Sequence, residues 1–240
     1  ALDCAVVISG RTQEAVDRAV AELSAKHEPA RILGQPCDVT DFRQVQGLWD
    51  ASQAQFDKID IWINNAGISH PQLEFWAHPP ERMEAVVGTN LVGTMYGCKV
   101  ALPGMLDQGA GAVYNMEGLG SDGRTVEGLT LYSTTKYGLR YLNQALAEEV
   151  EGTGVIVGAI APGMLVTDLL TDQYEDRPED WEEAKRIFNV IADRVETVVP
   201  WLAERVLANE QNGVRIAWLT KTKLMGRFLT ARFRKRDLFE

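Results

Sequence analysis

"IDIWINNAG", Ile59 to Gly67, is an apolar run that stops abruptly on two asparagines, an alanine and a glycine. It reads as a buried strand, and Gly67 supplies backbone freedom where the strand gives way to a loop. Helical patterns lie on either side. "DFRQVQGLWDASQAQF" (Asp41–Phe56) opens on an Asp cap and spaces Val45, Leu48 and Trp49 for one helix face. "RMEAVVGTNLVGTMYGCKVALPGML" (Arg82–Leu106) predicts one long helix.

The same alternation extends outward in both directions. Upstream, "CAVVISG" (Cys4–Gly10) and "ARILGQPCDV" (Ala30–Val39) read as strands. They flank a helix with Ala15, Ala19 and Leu23 at helical spacing. Downstream come the strand "GAVYNM" (Gly111–Met116), a Gly-rich loop and a helix starting near Leu131. "GVIVGAIAPG" (Gly154–Gly163), an acidic stretch, a helix over Glu196–Asn209 and the strand "GVRIAWLT" (Gly213–Thr220) complete the series. Strands alternating with helices predict right-handed βαβ units, hence an α/β, Rossmann-type, doubly wound parallel sheet covered on both faces. Ligands in such sheets bind at the carboxyl ends of the strands. Arg11, Asp38, Asn64 to Gly67 and Pro162 to Thr167 all fall at such ends.

Composition narrows the function. The 240 residues suit one domain with a sizeable core, and 45% hydrophobic with 24% charged residues is ordinary for a globular protein. A formal net charge of −10 argues against nucleic acid as a partner. No charge-free run of about 18 apolar residues is present, so no spanning helix is expected. Cys4, Cys37 and Cys98 are far apart and read as reduced thiols. His27, His70 and His78 lack ligand spacing, so no metal site is expected.

One helical turn separates Tyr132 from Lys136 in "LYSTTKYGLRYLNQALAEE", so both side chains share a face. Alone, that spacing also suits a chance surface pair. Taken with "NNAG" (Asn64–Gly67), "TNLVG" containing Asn90, and "PGMLVT" (Pro162–Thr167), it resembles the short-chain dehydrogenase/reductase superfamily over almost the whole chain.

That resemblance implies hydride transfer between a nicotinamide and a carbonyl carbon. Tyr132 is expected to give the proton to the carbonyl oxygen. Lys136 is expected to favour the phenolate, lower the phenol's pKa, and reach the nicotinamide ribose. Asn90 is expected to hold a water in a proton relay; the alternative is a helix-interior residue capping a kink. Asn65, Ala66 and Gly67 let the adenosine side of the cofactor approach, although an ordinary turn would use the same residues. Asp38 and Val39 resemble the pair at the adenine ring, the alternative being a helix-start region in which Asp41 already caps. Pro162 and Gly163 break a strand end, and Thr167 resembles the hydroxyl that fixes the carboxamide. Arg11 follows a strand whose tip carries no acid, so its guanidinium suits a 2′-phosphate and favours NADP(H) over NAD(H). The alternative is a solvated Arg at a helix start.

Two departures stand out. The family opens with a strand, a Gly-rich turn that holds the pyrophosphate, and a helix, whereas "ALDCAVVISGR" reads as the end of that helix running into the second strand. The expectation is an N-terminally truncated domain, lacking a central strand and binding cofactor poorly by itself. The family also places a Ser pair after the fourth strand, where Glu117 and Gly118 stand here, with Ser121 displaced into the loop. Ser121 either reaches the carbonyl oxygen or is a turn residue.

The loop "NMEGLGSDGR", "PGMLVTDLL" and the closing "TKTKLMGRFLTARFRKRDLF" resemble the chlorophyll b reductase branch, which reduces a 7-formyl group. The domain is expected to span 1–240, with 168–195 covering a small-molecule carbonyl substrate and a basic tail over 221–240. That tail interleaves Lys221, Lys223, Arg227, Arg232, Arg234, Lys235 and Arg236 with apolar residues. It suits a peripheral contact with an anionic membrane, a subunit interface, or docking on the chain's own acidic body. Tyr174 and Trp181 are expected either to line a pocket or simply to pack. The resemblance further implies a homodimer or homotetramer, in the cytoplasm or at a membrane surface (a chloroplast's, in a phototroph). The alternative function is a non-catalytic nucleotide-binding or scaffolding member of the superfamily.

Overall fold

The structure is a computed structural model that describes residues 4–171, 174, 178–231 and 236–239. Four parallel strands form the larger sheet, in the order β3 (Ile61–Asn64), β4 (Gly111–Met116), β5 (Val155–Ala161) and β8 (Arg215–Ala217). Its register aligns Asn64 with Asn115 and Asn115 with Ala159, so the strand ends carrying polar residues lie side by side.

Both faces of this sheet are covered, as a parallel sheet requires. Alternation along β4 sends Val113 to one face and Ala112 and Tyr114 to the other. Val113 packs with Cys98, Val100 and Met105 of α4 (Gly93–Gln108), and with Val45 and Trp49 of α2 (Phe42–Phe56). Tyr114 packs with Val198, Leu202 and Val206 of α8 (Val195–Leu207). Each such side chain stabilises the fold by roughly 1.5–3 kcal/mol on burial.

A second sheet pairs β1 (Val6–Gly10) with β2 (Ile32–Pro36), also parallel. α1 (Gln13–Ser24) covers it by pressing Val16 and Val20 onto Gly34, where a Cβ would lie 2.6 Å from either side chain. Among the described residues no strand joins β1 to β3. Their apolar side chains show it: Val6 is 41% and Ile63 45% exposed. The doubly wound parallel arrangement is as expected, and so is the division of the sheet beside β1.

The long helix expected over Arg82–Leu106 is present and unbroken, running as α3 (Pro80–Val87), a π-helical turn at Gly88–Val92, and α4. The widened turn holds Asn90, which is fully buried. Its Nδ2 donates to the carbonyl of Ile68 (3.0 Å) and its Oδ1 accepts from the Ile68 N–H (2.8 Å). A two-point bond to a passing loop is one way a helix is made to bulge.

The tail also differs from one expectation. α9 (Lys221–Thr230) follows β8 and packs on α7 (Pro178–Ile191). Arg227 and Arg236 turn inward. They donate to Asp193 at 2.7 and 2.8 Å and to the carbonyls of Val190, Ile191 and Ala192 where α7 ends. Despite burial, hydrogen bonds from Trp218, Arg227 and Arg236 hold the Asp193 carboxyl below its ordinary pKa. This is docking of the tail on the chain's own acidic body. Arg232, Arg234 and Lys235 lie outside the described residues, as does Glu175 of the acidic stretch. Tyr174 and Trp181 pack with one another and with Phe188.

Candidate active site

The carboxyl ends of β3 and β4 face the first turns of α5 (Thr130–Glu149). A ladder of amides, buried at Asn115 and Asn143, sets this geometry. Asn64 donates to Asn115 (2.7 Å), and Asn115 donates to Asn143 of α5 (2.6 Å). Asn115 is fully buried, so an unmade bond there would cost about 1–3 kcal/mol, and the ladder fixes helix to sheet.

Lys136 is 4% exposed, and its Nζ donates to the carbonyl of Met116 at 3.0 Å. It lies 5.7 Å from the centre of the Tyr132 ring. The two groups border a small space without side chains. A Cβ on Gly67 would stand 3.6 Å from Lys136 Nζ and 3.4 Å from Asn90 Oδ1. A Cβ on Gly118 would come within 2.3 Å of the Tyr132 hydroxyl. Glycine at 118 is therefore what admits the phenol.

The electrostatics correct one expectation. Lys136 was expected to lower the Tyr132 pKa, yet burial pushes the phenol up to about 12. Burial also brings Lys136 down to about 8, with the Glu117 charge partly opposing that shift. Desolvation of two neighbouring groups outweighs their mutual effect, because the amine's bond goes to Met116 and not to the phenol.

Ser121 is buried, and its hydroxyl donates to Glu117 Oε2 at 3.0 Å. The same carboxylate oxygen accepts from Arg215 Nε of β8 at 2.6 Å. With its one proton directed at Glu117, the Ser121 hydroxyl faces its surroundings as an acceptor. The Glu117–Arg215 pair was not anticipated from the sequence. The available signal was an acid closing the apolar run "AVYNM" and a lone Arg in the last strand.

The remaining expected residues fall at the ends of all three sheets among the described residues. Asn65 and Ala66 sit past the end of β3, and Pro162 and Gly163 past the end of β5, while Thr167 lies between β6 (Leu165–Val166), which pairs with β7 (Asp193–Arg194) in a small sheet of its own, and α6 (Asp168–Thr171). Gly163 adopts φ +79°, a left-handed conformation suited to glycine, with Leu219 packed where a Cβ would project. Arg11, Asp38 and Val39 lie just past the ends of β1 and β2. Arg11 is exposed beyond β1, beside Thr12, which caps α1. Asp38 Oδ1 accepts from the N–H and hydroxyl of Thr40 (2.9 and 2.7 Å), forming a local turn, while Asp41 caps α2. Val39 packs on Gly93.

Residues 1–178 match the family described as short chain dehydrogenase. The chloroplastic chlorophyll(ide) b reductase NOL of Arabidopsis thaliana is 34% identical over 87% of this chain and 60% of that protein. The chloroplastic protein of the same species named Probable chlorophyll(ide) b reductase NYC1 is 29% identical over 98% of this chain. The chain spans about half of that relative's length (49%). Among solved structures, a variant of actinorhodin polyketide ketoreductase with NADPH superposes with a TM-score of 0.77 at 26% identity, over 89% of this chain and 85% of that one.

Proposed function

The chain belongs to the short-chain dehydrogenase family, and we propose that it is an NADPH-dependent reductase of an aldehyde or ketone. One observation carries this reading: a buried amine and a phenol converge on two side-chain-free positions, Gly67 and Gly118, at the carboxyl ends of adjacent strands.

When bound, a reduced nicotinamide dinucleotide supplies a hydride to the carbonyl carbon. The donor set fits such a group: Lys136 offers an ammonium beside the Gly67 cradle, a partner for ribose hydroxyls. Pro162, Gly163 and Thr167 would hold the carboxamide end, and Asn65, Ala66, Asp38 and Val39 the adenosine end. Arg11 would take a 2′-phosphate, which favours NADPH over NADH.

Tyr132, neutral up to about pH 12, is in the protonated form that a reduction needs. It gives its phenolic proton to the substrate oxygen as charge develops there. Lys136 is charged below about pH 8 and stabilises the phenolate left behind. We assign Asn90 to proton resupply by its place beside Gly67, opposite Lys136. Residues 168–195, of which 172–173 and 175–177 lie outside the described residues, are assigned to covering the substrate, and Gln72 Nε2 donating to the Tyr174 hydroxyl (3.5 Å) supports this by tying Tyr174 to the loop after β3.

The formyl group of chlorophyll b is the substrate we favour, given the two chlorophyll(ide) b reductase relatives. Residence in a chloroplast follows if the source is a phototroph. No helix among the described residues is long and apolar enough to cross a membrane. Exposed Met225, Phe228 and Leu229 on α9 support a peripheral membrane contact, and exposed Met95, Tyr137 and Tyr141 support a homodimer or homotetramer.

The test is NADPH consumption with chlorophyll b and with simple aldehydes, comparing Tyr132→Phe. Turnover that survives the substitution removes this mechanism. A second reading, a non-catalytic nucleotide-binding member, draws on the Ser121 proton being directed at Glu117. Tight NADPH binding without turnover on any carbonyl would favour it.

A further inference from the structure

The helix that carries Tyr132 and Lys136 lacks a conventional start. Leu129 precedes it and has no side chain able to cap. The third residue of the helix is Tyr132, whose N–H is among those with no partner inside the helix. That N–H donates to Nε2 of His70, 62 positions earlier in sequence, at 3.1 Å.

His70 is 2% exposed. Its other ring nitrogen, Nδ1, lies 2.8 Å from the carbonyl oxygen of Pro71. A carbonyl oxygen only accepts, so Nδ1 carries the proton and Nε2 presents a lone pair. Both contacts therefore require one tautomer of the neutral ring. A second proton would convert Nε2 into a donor pointed at another donor.

The surroundings oppose that second proton. The charged and titratable groups acting on the ring are His78, edge-on at 4.4 Å between ring centres, and Arg82 of α3. The positive end of α5 adds to them. Burial above all, then His78 and Arg82, hold the His70 pKa below the ordinary 6.5. His70 follows, two residues on, the Ile68 that Asn90 clamps, so the ring links the loop of Gly67 to the helix.

We propose that His70 is a positioning residue: as a neutral, Nδ1-protonated ring it caps the catalytic helix at Tyr132, and its protonation releases the cap. The second half of this statement, the effect on turnover, rests on the carbonyl reductase reading. The cap itself does not. The chemistry is a pH-sensitive hold on the orientation of Tyr132, with stability present above pH 6.5 and lost as pH falls, because the unfolded chain then takes up a proton that the folded ring resists.

Nitrogen-15 correlation spectra of the purified protein read the ring directly. Protonation at Nδ1 at neutral pH is expected; protonation at Nε2 overturns the proposal. Amide exchange at Tyr132 is expected to quicken about ten-fold in His70→Ala and to return towards the native rate in His70→Gln, whose carbonyl can accept the same N–H. Unchanged exchange in His70→Ala overturns the cap. In turnover, His70→Ala is expected to lower kcat about ten-fold with little change in KM, and His70→Gln to restore most of it. The native acid limb of kcat below pH 6.5 is expected to vanish in His70→Gln and to persist in His78→Gln. An acid limb kept in His70→Gln, or lost in His78→Gln, overturns the coupling. Absence of turnover in every form, native included, would sink the reductase reading, while the ring and exchange measurements still decide the cap.

Discussion

Two of the three sheets among the described residues, the four-stranded one and the β1–β2 pair, make an instructive contrast. In the larger one, Val113, Tyr114 and Val157 are wholly buried, and an amide ladder ties the strands to α5. In the smaller one no strand residue is buried, and Val6 of β1 is 41% exposed. Tyr132 and Lys136 lie against the first region and are held in place by its packing. Of the residues assigned to the adenosine end, Asn65 and Ala66 follow β3 of that same sheet, whereas Arg11, Asp38 and Val39 follow β1 and β2. Those two strands have neighbours on one side only among the described residues.

The contrast can be broken by substitution. The largest effect is expected from Tyr132→Phe, which should lower kcat/KM about 10³-fold while NADPH affinity stays within about two-fold. Steady-state rates and a binding titration check this. Lys136→Met should cost about 10²-fold in turnover, yet raise stability near pH 7 by about 2 kcal/mol net of the lost Met116 bond. The sign follows from linkage. The folded pKa of about 8 lies under the ordinary 10.5, so the unfolded chain binds more protons and the native protein gains stability as pH rises between the two. The advantage of Lys136→Met should accordingly fade above pH 10.5, as chemical denaturation across pH would reveal. The native rate should also decline as pH rises through about 8, from Lys136, well before Tyr132 ionises near 12.

Smaller effects test packing. Val113→Ala should destabilise by about 2–3 kcal/mol, as expected where a fully buried side chain is removed. Gly118→Ser should cost about 1–3 kcal/mol and displace the phenol, whose oxygen occupies the space a Cβ needs. Val6→Ser should change stability by less than about 0.5 kcal/mol. A large loss from Val6→Ser, or a small one from Val113→Ala, would abolish the contrast between the sheets.

Much of this fold was readable from periodicity. The β4 run and the cap Asp41 lie where local rules place them, because caps and apolar repeats depend on neighbours in sequence. The Arg82–Leu106 helix was legible for the same reason, but its widened π turn at Gly88–Val92 was not. That turn carries Asn90, whose partner Ile68 lies 22 positions away. The tail was ambiguous because a basic amphipathic segment suits a membrane and an acidic protein surface equally. Asp193 engages two of its basic groups by accepting from Arg227 and Arg236, while Met225, Phe228 and Leu229 of α9 stay exposed.

The sequence alone determined the alternating α/β order and the pairing of Tyr132 with Lys136, since one helical turn brings those side chains to one face whatever surrounds them. Only the tertiary structure decided how they behave. Whether a lysine acidifies a phenol or both are desolvated depends on what encloses them. Whether a helix is capped from Leu129 or from His70 depends on which loop crosses its end. Burial and long-range contact belong to the assembled chain, and it is these that set the protonation states at the site.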